Sequence, residues 1–349
     1  TRGCNSITTL TRGTMSNSNV NNDNKTVEID DLVNQVKGLG LDDDKKKDDK
    51  VNEQEQEDVF DDDDDDDDDE NTKDIKKVAQ WIQESKNIII LSGAGVSCAA
   101  GIPDFRTPGT GLYDNLQKYS LPYPEAVFDV DFYRRKPQPF LSLAKELWPG
   151  LQHSPTLTHS FGAVLANKPH QKLLRNYTQN IDGLEHLATI PEPQIVECHG
   201  HFRTASCIKC KKAMDGDVCK DHILNGNAKT PPACPKCKSF VKPDIVFFGE
   251  GLPDRFHKLL SEDVETVDLL LVIGTSLQVA PVSHIPNYVQ CKRRVLINRD
   301  EVGDFMREDD VVLLGDCDSV MMQLAHELGW EHEVRKLNKK TRIVPKADD

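Results

Sequence analysis

The chain has 349 residues with 58 acidic and 43 basic side chains, a net charge of −15, and positions 1–70 alone hold 23 of the acids against 8 bases, which accounts for the whole excess. The remaining body is neutral, which argues against the basic face that direct nucleic-acid binding demands. No apolar run approaches the roughly 20 residues of a membrane span, and the N-terminus has no apolar h-region of a signal peptide.

Residues 1–70 are rich in Asn, Asp, Lys and Gln and end in the acidic run Asp61–Glu70. Such a segment buries too little apolar surface to offset its ordering entropy, so a disordered acidic extension is expected. Leu32, Val36, Leu39 and Leu41 read equally as a leucine-rich nuclear-export stripe or as scattered apolar residues in a coil. Met15 is a candidate start, which would make residues 1–14 upstream sequence. From Asp74 the texture changes. Lys76–Ser85 predicts an amphipathic helix with Val78, Trp81 and Ile82 on one face, and Asn87–Leu91 a short strand. Further apolar runs lie at Leu173–Thr178, Ile195–Cys198, Ile245–Phe248, Leu269–Ile273, Val295–Ile297 and Val311–Leu314. Runs without alternation suit strands buried on both faces of a parallel sheet, and helix-length spacers make the pattern α/β. The expected fold is a Rossmann-like parallel-sheet domain (about 75–106, 151–200 and 241–335). A smaller helical and zinc-binding domain (107–150 and 201–240) is inserted, and residues 336–349 form a C-terminal tail.

Strand Asn87–Leu91 runs into Ser92-Gly93-Ala94-Gly95-Val96-Ser97. Small residues there let the backbone approach a pyrophosphate, and a following helix would offer its free N–H groups. The spacing is not G-x-G-x-x-G, because Cys98 takes the third glycine slot, so a plain tight turn is the competing reading. Gly274-Thr275-Ser276 and Asn298-Arg299-Asp300 follow two further strands. Polar or glycine-rich ends at one edge of a parallel sheet fit a dinucleotide site.

Of ten cysteines, Cys4, Cys98, Cys198, Cys219, Cys291 and Cys317 are single, and Cys207-x-x-Cys210 and Cys234-x-x-Cys237 are paired. That usage fits a reducing compartment. The two pairs form a tetrahedral zinc site, and four thiolates leave no position for an activated water, so this zinc is structural.

These motifs together resemble the sirtuin (Sir2) family over about residues 75–330. Gly93–Ser97 continuing to Gly101-Ile102-Pro103-Asp104-Phe105-Arg106 is similar to its cofactor loop. Tyr177-Thr178-Gln179-Asn180-Ile181-Asp182 and Glu197-Cys198-His199-Gly200 are similar to its catalytic motifs, with Lys242–Glu250 and Gly274–Ser276 in the family's order. Leu112-Tyr113-Asp114-Asn115 and Leu121–Ala126 resemble the class I branch, especially its cytoplasmic sirtuin-2-like members. The acidic extension is not a family feature.

The resemblance implies an NAD-dependent protein-lysine deacetylase. Acetyl-lysine attacks the nicotinamide ribose, and deacylated lysine, nicotinamide and 2′-O-acetyl-ADP-ribose are produced. Its alternative is an NAD-dependent protein ADP-ribosyltransferase. His199 would be the general base on the ribose hydroxyls, since a histidine titrates near working pH, with Asn180 and Asp182 positioning the nicotinamide ribose. Gly93, Ala94, Gly95, Val96, Ser97, Ile102, Asp104, Phe105, Arg106, Gln179 and Ile181 would bind the cofactor at one end. Gly274, Thr275, Ser276, Asn298, Arg299, Asp300 and Cys317 would bind it at the other. Val246, Phe247, Phe248, Gly249 and Glu250 would add to a substrate peptide as a strand, using main-chain bonds indifferent to its sequence. From Thr107 to Tyr133 no arginine is available for an acidic acyl group, which favours acetyl and longer apolar acyl groups. The implied substrates are acetylated proteins, histones or tubulin among them, met in the cytoplasm with passage through the nucleus.

Overall fold

Nine strands occur among the described residues of the computed structural model, which are 70–343 apart from 106, 108, 110, 113–115, 117–120, 150, 151 and 227–229. They are β1 (Ile88–Ser92), β2 (Leu173–Thr178), β3 (Ile195–Glu197), β4 (Gly200–Cys207), β5 (Ala213–Asp215), β6 (Val241–Ile245), β7 (Leu269–Ile273), β8 (Arg293–Asn298) and β9 (Asp310–Leu314). Six form one parallel sheet in the order β3-β2-β1-β7-β8-β9. The chain therefore builds outward in one direction from β1 and in the other from β7. This reversal opens a crevice at the carboxyl ends of β1 and β7, where α/β sheets bind ligands.

The apolar runs are unbroken because both faces of the sheet are covered. Ile88, Ile90, Leu269, Leu271 and Ile273 face one buried cluster, and Ile89, Leu91, Leu270 and Val272 face the other. Successive side chains of a strand point to opposite faces, so a strand covered on both sides must be apolar at every position. The helices are α1 (Glu70–Glu84), α2 (Val130–Arg135), α3 (Gln138–Leu147), α4 (Leu157–Ala166), α5 (Leu184–Leu187), α6 (Gly216–Leu224), α7 (Asp254–Asp263), α8 (Ile285–Tyr288), α9 (Cys317–Glu327) and α10 (Glu331–Lys340). The first face is covered by α1, α4, α9 and α10 through Val78, Ile82, Phe161, Met321, Leu324 and Val334. The second takes Phe256 of α7 and Ile285 of α8. None of these helices is long and apolar enough to cross a membrane.

A second lobe has its own core. The antiparallel sheet β5-β4-β6 packs with α2 and α3 around Tyr133, Phe140, Leu141, Phe202 and Phe247. Four aromatic rings, Phe128, Tyr133, Phe140 and Phe247, meet edge to face with centroids 4.8–6.1 Å apart, the arrangement their quadrupoles favour.

Several strand ends move by one or two residues, and three departures from the expectation are larger. The run Ile245–Phe248 is not a parallel-sheet strand. Val241–Ile245 instead pairs antiparallel with β4, and Phe247 is buried in the small-lobe core, so this lobe extends past residue 240. A short apolar run cannot distinguish these two ways of being buried. Residues 336–340 are helical rather than tail, because Asn338 of α10 is buried and its Nδ2 donates to Pro155 O at 2.8 Å and Ser160 Oγ at 3.2 Å. The helix expected from Lys76 already includes Glu70, the first described residue. The acidic extension and its Leu32–Leu41 stripe lie outside the described residues.

Candidate active site

Two glycine turns interlock at the sheet's switch point. The Gly95 N–H donates to Gly274 O at 2.8 Å, the Gly93 N–H to Ile273 O at 3.1 Å, and the Gly274 N–H to Ile297 O at 3.0 Å. A Cβ on Gly93 would lie 2.6 Å from Thr275 Cβ, and one on Gly95 would lie 2.8 Å from Gly274 Cα. Gly274 also has a φ of +60°, which side chains resist. The first duty of this glycine pattern is thus loop-on-loop packing. Gly93 leads into a 3₁₀ stretch, Ala94–Ala100, rather than the expected α-helix, and one of its N–H groups is already engaged by Gly274.

The loop after β2 crosses beneath these turns. Gln179 Nε2 donates to Thr275 Oγ1 at 2.9 Å, tying it to β7. Asn180 is buried, and its Nδ2 donates to Gly93 O at 3.0 Å and Ser97 Oγ at 3.2 Å. The Ser97 hydroxyl donates to Asp182 Oδ2 at 2.7 Å, and Asp182 Oδ1 accepts the Leu184 N–H at 3.0 Å.

His199 follows β3 and meets the same loop, with Nδ1 2.8 Å from Gln179 O. A carbonyl only accepts, so Nδ1 carries the proton and the neutral ring presents a lone pair at Nε2. That Nε2 is buried and has no hydrogen-bond partner. Burial disfavours the imidazolium and pulls the His199 pKa below the usual histidine value, the Gln179 contact opposing it.

These groups enclose a cavity of about 780 Å³. Phe105, Phe128, Ile181 and Phe247 give it an apolar wall, and Ser276, Asn298, Arg299 and Asp300 add a polar one. Arg299 reaches Asp316 at 3.3 Å and both are largely exposed, so this pair ties the rim loosely. Burial pushes the Cys317 thiol up to about 12, with Asp316 and Asp318 adding to it. Cys317 therefore lines the wall as a neutral, unreactive group.

Cys207, Cys210, Cys234 and Cys237 gather in the small lobe, with Cys207 and Cys234 in its buried core. Their sulfurs lie within 4.8 Å of one another, with Cys207–Cys237 at 3.5 Å and Cys210–Cys234 at 3.6 Å. Four sulfurs about 2.3 Å from one zinc ion would be separated by about 3.8 Å, so this cage fits zinc. Lys211 and Lys238, each just after a pair's second cysteine, share a left-handed backbone with φ of 55° and 62°. Each turn returns an N–H to its first cysteine's carbonyl, at 3.0 and 2.9 Å. The same knuckle is built twice.

Comparison with known proteins agrees with this geometry. The Sir2 family profile matches residues 93–281, more than half of the chain. The chain belongs to the Sir2 family. It is 46% identical over 272 residues to the NAD-dependent protein deacetylase hst2 of Schizosaccharomyces pombe, covering 77% of this chain and 80% of that protein. It is 46% identical over 277 residues to the NAD-dependent deacetylase sir2A of Dictyostelium discoideum, covering 76% of this chain and 54% of that longer protein. With the NAD-dependent protein deacetylase sirtuin-2 of Danio rerio it shares 42% identity over 298 residues, covering 79% and 77% of the two chains.

The structure does not gather all the residues that the sirtuin resemblance points to. Gly93, Ala94, Gly95, Asp104, Phe105, Gln179, Asn180, Ile181, His199 and Val246–Glu250 line the cavity, as do Gly274, Thr275, Ser276, Asn298, Arg299, Asp300 and Cys317. Val96, Ser97, Ile102 and Asp182 do not. Val96 and Ser97 are buried behind the loop, because a 3₁₀ turn must aim some side chains inward, and Asp182 turns toward Ser97 beneath the floor. Arg106 lies outside the described residues. Glu250 is on the wall, but its Oε2 is bound by buried Lys242 Nζ at 2.8 Å and by the Phe247 N–H at 3.1 Å. Sequence reading missed Cys98, Phe128, Leu252, His257, Gln278 and Asp316, all lining residues. Cys98, which follows Ser97, and Asp316, next to Cys317, had a nearby signal. His257 is on α7 and Phe128 ends a 3₁₀ turn, and with Leu252 and Gln278 they fall outside every sequence motif.

Proposed function

We propose that this sirtuin removes acetyl groups from protein lysines with NAD as co-substrate, and that His199 is the general base. The unpartnered, buried Nε2 of His199 carries the proposal. It is a proton acceptor with a defined tautomer, set into the cavity wall and held neutral by burial. Bound NAD supplies a ribose carbon that the acetyl oxygen can attack and a ribose hydroxyl that must lose its proton. His199 would take that proton at Nε2 while Nδ1 stays anchored to Gln179. Asn180 and Asp182 would act by fixing the Gly93–Ser97 loop. Phe105 would close the reacting face against water, and Asn298 and Ser276 would take the adenosine side.

The peptide would pair along Val246–Glu250. Phe248 spends its N–H on Phe128 O at 2.8 Å and its carbonyl on the Val130 N–H at 3.2 Å, so pairing falls to Gly249 and its neighbours. Glu250 then belongs to the wall's support through Lys242 rather than to the peptide. Acetylated histone and tubulin tails are the proposed substrates, with residence in the cytoplasm and passage through the nucleus. Deleting residues 27–42 should shift the protein toward the nucleus if the Leu32–Leu41 stripe exports it.

Labelled NAD, incubated with acetylated and unacetylated peptide, tests the reaction. Nicotinamide should be released only with acetyl-lysine, in step with 2′-O-acetyl-ADP-ribose. Release without acetyl-lysine, with label on the protein, would instead assign ADP-ribosyl transfer. His199→Tyr should abolish turnover and largely spare NAD affinity.

A further inference from the structure

Directly beneath the Asn180–Asp182 loop lies a second group of titratable side chains. His159 of α4, Asp182 and Glu185 of α5 each place a ligating atom within 4.8 Å of the others. His159 is 4% exposed and Glu185 1%. His159 Nε2 and Glu185 Oε1 are buried with no hydrogen-bond partner, although two such groups side by side have every reason to use each other.

Protons can be assigned from the surroundings. The Thr156 backbone N–H donates to His159 Nδ1 at 3.3 Å, the reciprocal half of the cap that starts α4. An amide can only donate, and the Thr156 hydroxyl lies 2.8 Å from the same nitrogen, so Nδ1 is a lone pair and the neutral ring carries its hydrogen on Nε2. Asp182 already accepts from Ser97 at Oδ2 and from the Leu184 N–H at Oδ1, so both its oxygens are occupied as acceptors. Glu185 receives the Thr178 hydroxyl. Two ionised carboxylates at this distance in a buried space are strongly disfavoured, so one must hold a proton. The charged neighbours of Glu185 are Asp182 and Glu197, both acidic. Burial first, and Asp182 second, push the Glu185 pKa up to about 8. Around the cluster, Asp318 faces His159 from α9, Cys198 is a neutral thiol, and Glu197 is itself tied to Arg203 and His186.

We infer that Glu185 is a positioning residue: its protonated carboxyl donates to Asp182, and this carboxyl–carboxylate pair, with His159, holds the floor of the cofactor cavity. The relay is continuous. Glu185 steadies Asp182, Asp182 holds Ser97, and Ser97 and Gly93 O both take the Asn180 amide. Loss of the Glu185 proton would set two anions against each other under Asn180 and release the loop that carries Gly93 and Gly95. Cofactor affinity should then weaken on the alkaline side.

The inference rests on the proposed NAD site for its consequence but not for its protonation, so two measurements need no ligand. Infrared difference spectra of the whole chain at pH 7 should show the carbonyl band of a buried protonated carboxyl that disappears in Glu185→Gln. The folded protein holds this proton up to a pH where the unfolded chain has lost it, so the contribution of Glu185 to stability falls from about pH 4.5 to 8 and levels off above. Glu185→Gln, which keeps a neutral donor, should lack that contribution, so its melting temperature relative to wild type should grow across this window. Titration calorimetry with NAD should show wild-type affinity dropping at least threefold from pH 7 to 9.5. Glu185→Gln should hold constant affinity close to the pH 7 wild-type value, and Glu185→Leu should be at least tenfold weaker throughout. An absent infrared band, or a Gln variant with the wild-type alkaline loss, would overturn the inference. So would a second metal ion per chain that is lost in Glu185→Gln, since that would make the cluster a cation site. If deacetylation fails while the band and the stability profile hold, the proposed function falls and the proton assignment stands.

Discussion

Replacing Gly95 with alanine tests whether the cofactor loop depends on loop-on-loop packing. The added Cβ would lie 2.8 Å from Gly274 Cα and 2.9 Å from Gly274 O, where ordinary contact begins at 3.4 Å. Neither atom is the end of a flexible side chain, so the turns must part by about 0.6 Å, and close-packed interiors transmit such shifts. The Gly95 N–H to Gly274 O bond, 2.8 Å in the native chain, would stretch beyond the favourable range. Overpacking costs about 1–3 kcal/mol, and the weakened bond about 1 kcal/mol more. A loss of about 2–4 kcal/mol, carried wholly by affinity, is a roughly 30- to 1,000-fold rise in the NAD dissociation constant. Calorimetric titration with NAD and urea unfolding together apportion it between binding and stability. Gly101→Ala is the control. Gly101 has a φ of +83°, but the nearest atom to its Cβ is 3.8 Å away, so only the backbone penalty of about 1–2 kcal/mol applies, chiefly to stability. A Gly95→Ala protein with NAD affinity within threefold of wild type and unchanged unfolding would refute the packing argument.

Three further outcomes are expected. Because burial lowers the His199 pKa, the neutral base survives to lower pH, and the acid limb of kcat/KM should lie below about 6.5, the ordinary histidine value. A limb at or above it would remove the burial argument. The chain should carry one zinc ion, and strong chelation should lower the melting temperature by several degrees and melt the β5-β4-β6 sheet. NAD binding should be lost with it, since β6 leads into the Val246–Gly251 wall, and metal-free protein with unchanged melting and NAD affinity would show that the four thiols need no metal. Asp310→Ala should cost about 3–5 kcal/mol in urea unfolding, the penalty for one half of a buried ion pair. The side chains of Arg294 and Asp310 are 1% and 2% exposed. Combining Arg294→Met with Asp310→Leu should recover most of the loss, and an Asp310→Ala protein within about 1 kcal/mol of wild type would mean that Arg294 finds other partners.

Much of the scaffold was legible because the relevant signals are local. Both faces of the main sheet are covered, so its central strand β7 is apolar at every position and β1 at all but Ser92, and the run at Leu269–Ile273 is its strand without a shift of either end. The two Cys-x-x-Cys pairs each carry their own knuckle, which makes the metal cage readable from spacing alone. Arg294 shows the opposite case. It stands next to Arg293, just before the apolar run Val295–Ile297, and its guanidinium is satisfied by Asp310 and by the carbonyls of Pro286 and Asp304. Nothing at position 294 announces those partners.

Residue identity therefore decided that there is a glycine turn after β1, a base candidate at His199 and a four-thiolate cage. Only the folded chain decided that Gly95 meets Gly274 across the switch point. Tertiary packing alone also withdraws Ser97 and Asp182 beneath the floor and sets Glu185 and His159 against them. The reason is physical. A turn, a knuckle or a buried strand is specified by neighbours in sequence, whereas a close backbone approach or a shared proton depends on which distant groups arrive within hydrogen-bond range and on how completely water is excluded when they do.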